Sequence, residues 1–157
     1  VYNESDLDLS LQANKLIELA SKNMQRDGYL IPAGVIYRAD GEAMVCGLPF
    51  ASTKDKQKCF QSFRSTAKAQ NAVAVAFVSE AWVSWKNTDI QSMELAPNGD
   101  GREEVIVATV ITPTESVVRM ATVLRVNEEV EGVGEIRSEG NVLDAEFSRG
   151  IWEKTLH

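Results

Sequence analysis

The chain has 157 residues, with 16 Lys and Arg against 23 Asp and Glu, a formal net charge of −7, and 44% hydrophobic residues. Such a chain is long enough to bury one core without staples, and its composition is that of a folded globular protein, not a disordered or fibrous one. The negative balance argues against general nucleic-acid binding, which needs a surplus of Lys and Arg on one face.

The longest apolar stretch, Ala72 to Val78, is strand length, so no helix is expected to cross a bilayer. The first residues, Val1-Tyr2-Asn3-Glu4, lack a basic region followed by an apolar one, so no signal peptide is expected. Two cysteines, Cys46 and Cys59, make no disulfide framework and read as separate thiols of a cytoplasmic protein. The single histidine is His157, the last residue. Histidine zinc sites, Ser-His-Asp triads and Cys-His dyads are therefore not expected, and no metal is assigned.

In chain order, Ser5 to Met24 reads as a helix, with Ser5 and Asp8 spaced like a capping box and Ala13, Leu16, Ile17, Ala20 and Met24 on one face. Gly28 suits a left-handed cap. Tyr29 to Ala39 and Glu42 to Leu48 read as two strands joined at Asp40-Gly41, a two-residue hairpin signal. Ser52 opens a second helix that runs to about Gln70, with Cys59, Phe60, Phe63 and Ala67 as its apolar stripe.

Val73 to Trp85 reads as a long strand, apolar on both faces in its first half, so either both faces are covered or one meets another subunit. Residues 86–101 form a polar loop containing Pro97-Asn98-Gly99-Asp100-Gly101. Loops of that length inside a compact domain are usually functional or disordered. Glu104 to Thr112 and Val117 to Val126 are two further strands, rich in β-branched residues. Asn127 to Ser148 then holds seven acidic residues against Arg137 alone, which is most of the chain's net charge. Its glycines, Gly132, Gly134 and Gly140, suggest turns around a short hairpin, and Arg149 to Leu156 suggests a short closing helix.

These elements predict an α+β fold: a mainly antiparallel sheet of about five strands with helices packed on it. The order is α-β-β-α-β-β-β, with residues 1–126 as one domain and 127–157 as an acidic segment packed on it or extending from it. That order is similar to the order in roadblock/longin and profilin-like folds, a likeness of element order only. It implies that the long third strand lies at a sheet edge. An apolar edge strand aggregates unless paired, which predicts a homodimer joined near Val73, Val75 and Phe77.

Several residues stand out as candidate sites. Glu80 interrupts an apolar strand, where a desolvated carboxyl would hold its proton and act as an acid or base. The simpler reading is that it emerges into solvent or pairs with Arg119 or Arg125. Trp82 and Trp85 could stack a ligand beside the 86–101 loop, or serve as core or interface anchors. Lys54, Lys58, Ser65 and Lys68 form a polar, mostly basic stripe opposite the apolar face of the second helix, which is a solvated face in the simpler reading. Lys54 and Lys56 also oppose the dipole at that helix's start. Gly99 and Gly101 make no dinucleotide fingerprint or P-loop, and no cofactor is expected.

The leading expectation is a noncatalytic interaction or regulatory domain acting as a homodimer. The acidic 127–148 segment would be free to dock on a basic protein partner. The alternative is a small-molecule-binding protein or enzyme with a pocket near Glu80, Trp82, Trp85 and the 86–101 loop.

Overall fold

The computed structural model describes residues 7–50, 52–84, 102–138 and 147–152. Two helices, α1 (Leu9–Asp27) and α2 (Thr53–Ala69), flank one antiparallel sheet. The strands are β1 (Ala33–Arg38), β2 (Ala43–Gly47), β3 (Ala72–Ser84), β4 (Arg102–Ile111), β5 (Ser116–Val126), β6 (Glu129–Val133) and β7 (Arg137–Ser138). The fold is α+β, with two more strands than the sequence suggests. Both come from the acidic segment, where Val130 is buried between the exposed Glu129 and Glu131.

The strand order is β2-β1-β3-β4-β5-β6, with β7 pairing β5 beyond β6. The long third strand is thus internal, bonded to β1 on one side and β4 on the other. This corrects the edge position expected for it. The alternation of side chains shows that both faces of a strand are covered, but it cannot show which strands lie beside it.

The two faces of β3 have different covers. Ala74, Ala76 and Val78 belong to a core shared with Val35, Ile106, Val110 and Ala121, on which α1 lays Ala13, Ile17, Ala20 and Met24. Val75 faces the other way, into a cluster with Ile36, Ile111 and the α2 residues Phe60, Phe63 and Ala67. Burying a large apolar side chain contributes roughly 1.5–3 kcal/mol, so each layer anchors its helix. Beyond α2 the same face continues as a third apolar cluster, Ala81, Val83, Val105, Val107, Val118 and Met120.

The α2 side holds all five phenylalanines of the chain. Phe60 meets Phe77 edge-on at 5.2 Å and Phe50 at 5.9 Å, while Phe77 stacks on Phe147 at 5.4 Å. Such pairs add about 0.5–1.5 kcal/mol beyond their buried area. Phe147 and Ile151 carry the end of the described chain onto this cluster, and Trp152 donates its Nε1–H to the Ala72 carbonyl at 2.8 Å. Residues 147–152 form turns where a short helix was expected to begin. Gly34 is required beneath Phe63: a Cβ there would lie 2.4 Å from the ring.

Local signals set the ends of the elements. Asp8 is itself the N-cap of α1, and its Oδ1 accepts from the Leu11 N–H at 3.1 Å; Ser5 lies outside the described residues. Gly28 ends α1 at φ 84° and returns its N–H to Met24 O. Ser52 caps α2 by accepting from the Asp55 N–H, as its spacing predicts. Among the described residues no helix is long and apolar enough to cross a membrane.

The turns depart from expectation. Arg38 pairs with Glu42, so the β1–β2 loop has three residues, with Gly41 alone at positive φ (91°). Asp40 holds it by accepting from the Glu42 N–H at 3.0 Å. The two-residue turn joins β5 to β6 instead: Val126 faces Glu129, and Asn127 and Glu128 have φ of 52° and 69°. Two positive φ values in succession match a type I′ turn, whose twist suits a hairpin. Glu in its second position carries none of glycine's turn signal, so the turn is not marked in the sequence.

Candidate functional site

Two features of the described chain carry chemistry of their own: a polar cluster at one end of the sheet and an uncharged strand at one side of it. The polar cluster begins with Glu80. It lies on β3 opposite Ile106, two residues from Trp82, which is opposite Glu104. The α1-side face therefore collects Glu80, Trp82 and Glu104, and Arg125 reaches them from β5.

Arg125 grips Glu104 as a fork. Its Nε lies 2.6 Å from Oε1 and its Nη2 lies 2.9 Å from Oε2. Glu104 is only 8% exposed, so this charge-assisted pair is well shielded on the acid's side. The guanidinium's other bonds go to backbone: Nη1 donates to Glu128 O at 2.8 Å and Nη2 to Gly28 O at 3.2 Å. One side chain therefore ties β4, the β5–β6 turn and the cap of α1 together.

Glu80 flanks this pair. Burial pushes its carboxyl pKa up, and a hydrogen bond with Glu104 and the Glu104 charge push it further. The Leu30 N–H and the Arg125 charge pull the other way. Arg125 is in turn held charged, chiefly by its bond to Glu104. Of the two arginines expected to answer Glu80, Arg125 is nearby but its fork closes on Glu104. Arg119 is engaged elsewhere, with Ser10 Oγ at 2.9 Å and Ser138 Oγ at 3.1 Å.

Trp82 is half-buried beside this cluster. Trp85 and the 86–101 loop lie outside the described residues. An open cleft of about 500 Å³ is found by the start of α1, lined by Leu7, Asp8, Ser10 and the Thr114–Val117 turn region, and none of the expected pocket residues lines it.

The expected interface residues have partners inside the chain. Val75 is fully buried, and Phe77 meets Phe60 and Phe147. Val73 sits at a bulge where the β1–β3 register shifts, and it packs on the α1 side, unlike Val75. β3 has no open edge for a second copy to join, because β1 and β4 pair with its two sides. On α2, Lys54, Lys58 and Lys68 are exposed as the stripe predicts. Lys56 lies over the Phe50 and Phe60 rings, 5.9 and 5.6 Å from their centroids, which accounts for a cation early in the helix.

The uncharged strand is β2, with no strand beyond it among the described residues. Arg38 N–H bonds Glu42 O, and Leu48 N–H bonds Pro32 O. In the antiparallel register this turns the backbone groups of Ala43, Val45 and Gly47 away from β1. Val45 is 71% exposed, and the strand Ala43-Met44-Val45-Cys46-Gly47 has no charge and no proline. Burial pushes the Cys46 thiol pKa up, away from reactivity.

Residues 1–156 match the family model of bacteriophage lambda protein ea47. The chain belongs to that family. No curated protein and no solved structure matches it.

Proposed function

We propose that the chain is a noncatalytic protein-interaction domain that works as a homodimer joined along β2. The observation that carries this reading is the undefended edge. Natural sheets blunt free edges with Lys, Pro, inward charges or bulges, and the residues of β2 offer none of these. A two-fold axis at Val45 would let the two Val45 residues exchange N–H···O=C bonds, with each Ala43 bonding Gly47 of the second copy. Met44 would face Cys46 across the joint, and no like charges would meet within the strand. This is the self-complementary pattern that a two-fold interface requires.

A noncatalytic role is supported by how the polar cluster is used. The Arg125 bonds go to Glu104, Glu128 and Gly28, so its donors tie elements of the fold together.

Sedimentation equilibrium on the wild type and on Val45→Lys tests the reading. The wild type should be a dimer. Val45→Lys should be a folded monomer, because it sets two ammonium groups against each other at the joint. A wild type that stays monomeric at high concentration, or a lysine variant that dimerises equally well, would overturn it.

A further inference from the structure

We propose that α2 and residues 147–152 form the two walls of a groove that binds single-stranded nucleic acid. Two clefts define it. One, of about 330 Å³, is lined by Gln57, Gln61, Arg64 and Arg149. The next, of about 290 Å³, is lined by Lys68, Asn71, Ala72, Ile151 and Trp152. Volumes of this order hold one small ligand each. The lining residues of α2 and its end stand at 57, 61, 64, 68 and 71, and these steps of four and three put them in one row. The clefts therefore follow each other along that row, with Gln57 roughly 16 Å from Lys68 at 1.5 Å per residue.

The facing wall is fixed in place. Phe147 and Ile151 are buried in the cluster that holds Phe60 and Phe63. Trp152 donates its Nε1–H to the Ala72 carbonyl at 2.8 Å, which holds a half-buried indole in the cleft with Lys68. The negative balance of the chain is not carried on these walls. Thr53–Ala69 holds five cations and one acid, Asp55 in the first turn, whereas Glu129 and Glu131 are on β6, three strands from β3.

Together the walls offer what a single strand needs: cations for its phosphates and an aromatic ring for its bases. Arg64, Lys68 and Arg149 are the cations. Arg64 and Arg149 also interact within the chain, and the five donors of a guanidinium let each keep one bond and give another. Trp152 is the ring. The carboxamides of Gln57, Gln61 and Asn71 both donate and accept, as base edges do. A duplex keeps its bases stacked on one another and has none to give the indole. An acidic peptide would meet the cations but leave the ring unused. None of these groups belongs to β2, so the groove and the dimer are tested separately.

Fluorescence anisotropy of a labelled oligothymidylate with the full chain tests the groove, with a duplex of the same length and polyglutamate as competitors. The wild type should bind the strand, and log K should fall with log salt at a slope of about −2, the value for three neutralised phosphates on a single strand. Neither competitor should displace the strand at equal charge. Lys68→Gln should weaken binding and flatten the slope by about 0.7. Trp152→Leu should weaken binding about fivefold or more, and Trp152→Phe should recover most of that loss. No binding of the strand at low salt, a duplex or polyglutamate bound as tightly as the strand, or an unchanged slope in Lys68→Gln would overturn the proposal. Lys68 is exposed, so its variant decides even if the Trp152 variants fail to fold.

Discussion

The sheet ends in two strands of equal length and opposite character, β2 and β6. β2 is Ala43-Met44-Val45-Cys46-Gly47, uncharged, with Val45 71% exposed. β6 is Glu129-Val130-Glu131-Gly132-Val133, with both acids exposed and its register against β5 broken between Leu124 and Arg125. Among the described residues, both present an antiparallel ladder paired on one side only. What differs is the guard. β6 carries charges and a bulge, the devices by which natural sheets discourage edge pairing, whereas β2 carries neither. Two acids of the C-terminal segment, Glu129 and Glu131, thus lie on an edge strand, a placement that the net charge of the chain does not reveal.

The edges are also supported differently. β6 is held by α1, where Gln25 donates to Glu131 O, and by Arg125 at the turn. β2 hangs on β1, which is pressed from the α2 side by Phe63 over Gly34. These differences rank the perturbations. Arg125→Met should be the most damaging, because it strands the buried Glu104 carboxylate. Removing one partner of a fully buried pair costs about 3–5 kcal/mol, and the partial exposure of Arg125 lowers the expectation to about 2–3 kcal/mol in urea unfolding. The β6 amides should lose exchange protection before those of β1.

Gly34→Ala should come next, at about 1–3 kcal/mol for an overpacked contact. Its effect should fall on the β1–β2 side, and Gly34→Ala with Phe63→Leu should recover part of the loss. Equal damage by Arg125→Met and Gly34→Ala to both edges would break the comparison. Val45→Lys should weaken dimerisation at least tenfold, about 1.4 kcal/mol, while changing monomer stability by no more than about 0.5 kcal/mol. The smallest effect should come from Glu129→Thr with Glu131→Thr. That variant removes the guard on β6 and should show species larger than the dimer by light scattering at high concentration. If it stays the same size as the wild type, the acids are not what protects that edge.

Much of this molecule is readable one segment at a time. The α1 stripe of Ala13, Ile17, Ala20 and Met24, the Ser52 cap and the Gly28 terminator are local patterns, and each is found where its spacing puts it. The two-faced β3 is equally local. Turn chemistry was legible only in part: Asp40-Gly41 marks a turn, but pairing of Arg38 with Glu42 makes it three residues long. The Asn127-Glu128 turn has Asn as its signal and lacks the glycine that usually completes it. In the polar cluster Glu80 stands out because it interrupts an apolar run. Glu104 does not, because its burial depends on a partner 21 residues away.

The amino-acid pattern by itself determined the class, the helices, their inner faces and the double covering of β3, since those follow from periods of two and 3.6 residues along the chain. Only the tertiary structure decided that β3 is internal, that β2 is outermost among the described strands and that Arg125 closes on Glu104. Those facts concern which segments lie side by side. Hydrogen bonds between distant strands select neighbours through the combined packing of both helices, and no single segment encodes that choice.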